Sequence, residues 1–157
     1  MFVGNVLLAL AWATLQAEFT LVNLLVGHAV GYVILTLLVK GGVLAESRYI
    51  GKVRMTVGFI GFFLRELVVA NLRLTRDVIS LRSTIRPGII AVPLDVTRDS
   101  EILLLATLIN LTPGSVALDV SPDRKVMYVH SMYVKSPDAA RAEIKNGYER
   151  RIVQLLR

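Results

Sequence analysis

The stretch Arg54-Met55-Thr56-Val57-Gly58-Phe59-Ile60-Gly61-Phe62-Phe63-Leu64-Arg65-Glu66, continuing to Arg82, decides how this chain is built. The residues before it are apolar enough for a bilayer, and those beyond it read as a soluble domain. The run opens like a membrane span, but Arg65 and Glu66 fall in its middle, with Arg73, Arg76 and Asp77 further on. In an α-helix an offset of eleven residues is about three turns plus 20°, so Arg54, Arg65 and Arg76 line up along one edge. Gly58, Gly61, Arg73 and Ser80 lie near that edge, while Phe59, Phe62, Phe63, Val69, Leu74 and Leu81 spread over the remainder. A wide apolar face with a narrow basic stripe predicts a helix in the plane of the membrane interface, apolar face in the acyl boundary and cations at the headgroups. The alternative is a third transmembrane span whose Arg65 and Glu66 are neutralised by a neighbouring helix.

Upstream, residues 1–52 predict a transmembrane hairpin. From Phe2 to Val39 the chain is almost uninterruptedly apolar, and as one straight helix it would be about 57 Å long, nearly twice the hydrocarbon thickness. It must fold back, and the polar cluster Gln16, Glu18, Thr20 and Asn23 marks the turn between spans Phe2 to Ala17 and Leu21 to Val39. A signal peptide is disfavoured because no Lys or Arg precedes the first span and a second span comes at once. Basic residues set the orientation: Lys40, Arg48, Lys52 and Arg54 lie just beyond the second span, which predicts both hairpin termini on the cytoplasmic side. A third crossing would carry Arg73, Arg76, Arg82 and Arg86 outside, so charge favours the in-plane helix independently. Gly27-His28-Ala29-Val30-Gly31 is a small-xxx-small pattern that lets another helix approach, either within the hairpin or from a partner. His28, near mid-span, reads as a neutral imidazole hydrogen-bonded across a helix interface. A proton relay would need further titratable groups at its depth.

The averages of the chain, 157 residues with 54% hydrophobic, 19% charged and net charge +6, hide two unlike halves. Within the first 39 residues Glu18 and His28 are the only acidic, basic or imidazole side chains. The positive charge concentrates between Lys40 and Arg86, beside the membrane segments, where anionic lipid headgroups are the natural partner and nucleic acid is not. With no cysteine there is no disulfide framework, thiolate metal site or cysteine nucleophile.

Residues 53–86 are assigned to the interfacial helix and 87–157 to a small α/β domain of order βαββα, on the cytoplasmic side. Arg86-Pro87-Gly88 breaks the helix. Ile89 to Val96 predicts a strand that Pro93 places at an edge or bulge. Asp99 or Ser100 is the expected cap of a helix over Glu101 to Ile109. Thr112-Pro113-Gly114 has the type II turn signature. Two more strands are expected at Ser115 to Val120 and Val126 to Val134, joined by Ser121-Pro122-Asp123-Arg124-Lys125. Ser136-Pro137-Asp138 starts a last helix, with Ala140, Ile144, Tyr148, Ile152 and Leu155 as its packing stripe. The last strand is apolar on both faces, so one face takes the helices and the other calls for the membrane surface or another subunit.

Catalytic patterns are lacking: no Gly-rich phosphate loop, no HExxH and no nucleophile elbow. Asp119 and Asp123 have a spacing that a hard cation can use, but a turn at a strand end explains both. Asn110-Leu111-Thr112 matches a glycosylation acceptor on what is predicted to be the cytoplasmic side. His130 reads as a strand-end hydrogen-bonding residue. No enzyme, metal or cofactor is expected.

The stretch Thr107-Leu108-Ile109-Asn110-Leu111-Thr112-Pro113-Gly114-Ser115-Val116, running into Leu118-Asp119-Val120-Ser121-Pro122-Asp123-Arg124-Lys125 and Tyr128-Val129-His130, closely resembles the E subunit of the Mrp-type multisubunit sodium/proton antiporters. The resemblance continues from Pro137 to Ile152, through Ile144-Lys145 and Tyr148-Glu149. It implies an accessory subunit without a catalytic residue, in an assembly whose ion paths belong to larger subunits. The partners so implied are the other antiporter subunits, in a prokaryotic cell membrane. A stand-alone membrane-anchored binding module is the rival reading. Interface candidates are Gly27, His28, Gly31, Arg54, Arg65, Glu66, Arg73 and Arg76.

Overall fold

A computed structural model describes residues 1–45, 47–80 and 85–157. Leu81 and Arg82, at the end of the predicted interfacial helix, lie outside the described residues. Two compact units divide the chain, Met1–Met55 and Thr56–Arg157.

In the first unit, α1 (Phe2–Leu15) and α2 (Leu21–Lys40) run antiparallel, and both are apolar all round. Their shared seam consists mostly of small residues: Asn5, Ala9 and Ala13 on α1, and Gly27, Gly31 and Leu35 on α2. Small side chains at i, i+4 spacing let two backbones close without a polar driving force, while Leu15, Leu21, Leu25 and Leu37 point outward and stay exposed. The turn is built by the polar cluster. Thr20 caps α2 by accepting from the Asn23 amide at 3.2 Å, and the Asn23 side chain donates to the Glu18 carbonyl at 3.1 Å. At the other end, the Tyr49 hydroxyl accepts from Asn5 Nδ2 at 2.5 Å, and Tyr32 Oη donates to the Ile50 carbonyl at 3.3 Å.

Helix α3 (Arg48–Ile79) is continuous, and the division between the two units falls inside it, after Met55. The reason is packing: Phe59, Phe62 and Phe63 lie against the core of the second unit. By length and composition α2 and α3 are each apolar enough to cross a membrane.

In the second unit, β1 (Gly88–Pro93), β2 (Ser115–Val120) and β3 (Val126–Ser131) form an antiparallel sheet of order β1-β3-β2. Pro93 therefore ends an edge strand, where its missing N–H costs no ladder bond. Between the strands, α4 (Asp99–Leu111) precedes the Thr112-Pro113-Gly114 turn. There the Ser115 amide donates to the Thr112 carbonyl at 3.3 Å, and Gly114 has φ +89°, the conformation a type II turn demands. Ile90 pairs with Val129 and Val92 with Met127, and all four face the helices. The opposite sheet face leaves Ile89, Val116 and Tyr128 exposed, and Leu118, at the bulge in β2, is exposed as well.

The last helix is not uniform. It begins as α5 (Pro137–Glu143), capped by the Ser136 hydroxyl, widens into a π turn (Ile144–Glu149), and continues as α6 (Arg150–Leu156). Ala140, Ile144, Tyr148 and Ile152 recur at every fourth residue, and in a regular α-helix each such step overshoots a turn by about 40°. One wide turn resets the stripe, so that Ile144, Tyr148 and Ile152 all stay buried.

Two helix acids are buried in the core. Glu149, fully buried, accepts from the Asp95 and Val96 amides at 2.5 and 2.9 Å and pairs with Lys145 at 3.6 Å. Glu101 takes the Thr97 and Arg98 amides at 3.1 and 3.3 Å and the Arg157 guanidinium at 3.2 Å. Helix α4 is thus capped by the carboxylate of its own third residue, not by a side chain of Asp99 or Ser100.

Candidate membrane and subunit interface

Gly27 and Gly31 are buried against α1, which settles which side of α2 they serve. A Cβ at Gly27 would come within 2.9 Å of the Ala9 backbone and of Trp12 Cβ, and one at Gly31 would fall on Asn5 Oδ1. Their small-residue pattern therefore closes the hairpin internally, and neither glycine is open to a partner. His28, next to them, is half-buried and makes no hydrogen bond or ion pair among the described residues, unlike the cross-helix bond expected of it. Arg54, in the same unit, is exposed.

On α3, the residues turned to the second unit recur at helical spacing: Phe59, Phe62, Phe63, Glu66, Ala70 and Asp77 are buried or half-buried. The expectation that all the phenylalanines face acyl chains is corrected here. Phe62 packs edge-on against Tyr148 at 5.6 Å, and the Arg151 guanidinium sits 3.9 Å above its ring. The opposite face of α3 is also apolar and is uncovered: Val57, Leu64, Val68 and Leu72 are 63, 55, 58 and 64% exposed. Arg65 and Arg76 are exposed along its flank. The helix thus has a protein-facing side and a second apolar side, which a one-dimensional count merges into one wide face.

Arg65 and Glu66 neutralise each other. Their side chains pair at 2.8 Å, with Arg65 in solvent and Glu66 half-buried. Arg73 lies 5.3 Å from the centroid of the Tyr133 ring. Burial, then the neighbouring Asp77 carboxylate, raises the Tyr133 phenol above its ordinary range, so it stays protonated. Burial does the same to Tyr148, although the Thr112 hydroxyl at 3.2 Å partly opposes it. Glu66, Arg73, Thr112, Tyr133 and Tyr148 line a small cavity of about 80 Å³ between α3, the sheet and the π turn.

Asp123 is engaged in its own turn, accepting from the Ser121 hydroxyl at 2.6 Å and the Lys125 amide at 3.2 Å. Asp119 accepts from the Val120 amide at 2.8 Å. Among the described residues no cluster of three or more acids and histidines is placed to hold a metal. His130 is half-buried on the open sheet face, paired in register with Ile89 and Val116, and its side chain makes no hydrogen bond among the described residues. Sequence reasoning missed Arg86 and Lys135 as neighbours of the α3 arginines, because the sheet that brings them there joins residues far apart in the chain.

Residues 5–155 match the model of the Na+/H+ ion antiporter subunit family. The chain is 34% identical over 151 residues to the E subunit of the Na(+)/H(+) antiporter of Alkalihalophilus pseudofirmus, covering 96% of this chain and 94% of that one. It is 31% identical over 153 residues to the corresponding antiporter subunit of Bacillus subtilis, covering 98% and 96%. Among solved structures, a chain of the Mrp complex from Dietzia sp. superposes with a TM-score of 0.51 at 25% identity, over 65% of this chain and 96% of that one. A chain of the membrane-bound sulfane sulfur reductase, an archaeal respiratory membrane complex, shares the fold with a TM-score of 0.56 at 23% identity, over 96% and 95%.

Proposed function

The chain belongs to the family of E subunits of multisubunit Na+/H+ antiporters, and from that membership we propose that it is a non-catalytic, accessory membrane subunit of an Mrp-type cation/proton antiporter. It supports assembly and activity of the larger, ion-translocating subunits in a prokaryotic cell membrane. One observation carries the non-catalytic part. Between Phe2 and Val39 the only acidic or imidazole side chains are Glu18, exposed in the turn, and His28, bonded to no other group among the described residues. A proton path needs a series of titratable groups across the bilayer, and two groups so placed do not make one.

The hairpin anchors the subunit, and α3 lies in the cytoplasmic interface. The second unit packs along α3 from Phe59 to Arg73, roughly 21 Å of helix. Were that length inserted as a span, the charged surface of the sheet and last helix would enter the hydrocarbon at several kcal/mol per buried charge. Lying in plane, α3 turns Val57, Leu64, Val68 and Leu72 to acyl chains, its arginines to anionic headgroups, and the α/β domain to the cytoplasm. The open sheet face, with Ile89, Val116 and Tyr128, is then the surface left for another subunit.

An affinity tag after Arg157, extraction of native membranes in mild detergent and mass spectrometry of what co-purifies test this. Large antiporter-like membrane subunits are expected in fixed ratio. A monomer that survives cross-linking without partners overturns the proposal in favour of a stand-alone anchored module.

A further inference from the structure

Beside the C-terminal half of α3, a groove of about 640 Å³ opens between that helix, the segment after β3 and the start of α5. Four cations line it, Arg73, Arg76, Arg86 and Lys135, against two acids, Asp77 and Glu143. Arg76, Arg86 and Lys135 are exposed and form no ion pair among the described residues. Asp77 is buried beside Tyr133, and Arg73 is stacked on that same ring. The groove therefore has a surplus of positive charge, held on side chains that no described residue neutralises. Beside these charges α3 also lends the groove an apolar strip, Val69 and Leu72, and Leu72 belongs to the exposed stripe of α3 as well. Ala139 and Ala140 keep the facing wall shallow.

A ligand matching both walls carries an anionic group and an apolar chain on one molecule. We propose that this groove binds an anionic phospholipid, its headgroup phosphate held by Arg76, Arg86 and Lys135 and an acyl chain lying against Val69 and Leu72. The inference rests on the interfacial placement of α3 and adds to it a single built site, distinct from diffuse attraction between a basic helix and a charged surface. Guanidinium forks suit phosphate oxygens geometrically, so a saturable stoichiometry is expected.

The full chain in mild detergent is titrated with dioleoylphosphatidylglycerol, dioleoylphosphatidylcholine and inorganic phosphate, and adducts are read by native mass spectrometry. One saturable phosphatidylglycerol adduct is expected, with phosphatidylcholine at least about tenfold weaker. At about fivefold per cation, the triple variant R76Q/R86Q/K135Q should lose about 100-fold, while R76K and R86K, which keep the charge but not the fork, should each lose less than R76Q and R86Q. If the triple variant loses its helical circular dichroism, K135Q alone, at an exposed position before α5, carries the same test with an about fivefold loss. Equal binding of the two lipids, equal binding by the variants, or inorganic phosphate binding as tightly as the lipid each overturns the proposal. Co-purification separates it from the subunit reading. Lipid lost while partner subunits are retained supports the groove. A wild-type chain that recovers no partner sinks the subunit reading, and the titration then still decides the groove.

Discussion

The guanidinium of Arg151 lies 3.9 Å from the centroid of the Phe62 ring, and its Nη1 donates to the carbonyls of Asn146 at 3.0 Å and Gly147 at 2.8 Å. One side chain thus closes the π turn and fastens α3 to the last helix. A π turn leaves carbonyls poorly served by the regular ladder, and Arg151 serves two of them.

Arg151→Gln should therefore lower the stability of the purified chain by about 1–2 kcal/mol. Phe62→Ala should cost about 3 kcal/mol or more, because it also empties the space beside Tyr148. Thermal unfolding followed by circular dichroism measures both. A pair of losses that add independently would show that the ring and the guanidinium do not work as one contact.

The hairpin seam makes unequal demands on its two glycines. At Gly27 a new Cβ meets the Ala9 backbone, which has nowhere to go, so Gly27→Ala should destabilise the pair by about 1–3 kcal/mol. At Gly31 the obstacle is the Asn5 side chain, so Asn5→Ala should rescue Gly31→Ala and not Gly27→Ala. Trp12, the one tryptophan of the chain, packs beside Gly27, so its emission spectrum reports the seam directly.

Glu101 carries a pH signature. The Arg157 hydrogen bond first, then the Thr97 and Arg98 amides, outweigh burial and hold its carboxyl down from 4.5 to about 2. A depressed carboxylate contributes stability that is complete above its unfolded value and is lost as pH falls through the folded one. Unfolding profiles should be flat in this respect above about pH 4.5 and fall from there toward about pH 2. Glu101→Gln should remove that slope, and deletion of Arg157 should shift it to higher pH.

The chain has no native cysteine, so single introduced thiols report topology cleanly. Arg65→Cys and Arg76→Cys should react with a membrane-impermeant maleimide from the cytoplasmic side only. Labelling confined to the outer side would place α3 across the bilayer and defeat the interfacial reading.

His28→Leu should leave both subunit assembly and cation/proton exchange in membrane vesicles intact. Loss of exchange with assembly preserved would assign His28 a role in proton movement.

Much of this was legible in the sequence because it is local or one-dimensional. The 38 mostly apolar residues from Phe2 to Val39 cannot lie straight within a bilayer, so the hairpin is forced, and Thr20 with Asn23 says where it turns. Thr112-Pro113-Gly114 and Ser136-Pro137 announce their turn and cap through backbone chemistry alone. Periodicity also marked Ile144, Tyr148 and Ile152 as buried. What tertiary structure decided is what depends on partners distant in the chain. An apolar helix face has the same pattern whether it meets acyl chains or a protein core, so only the packing of Phe62 on Tyr148 and Arg151 divides α3 into two sides. Nothing in their own helices marks Glu101 and Glu149 for burial; Arg157 and the amides of Asp95 and Val96 meet them from 56, 54 and 53 residues away. The Thr97 and Arg98 amides and Lys145 are local partners, but burial there is completed by long-range bonds that no local pattern encodes.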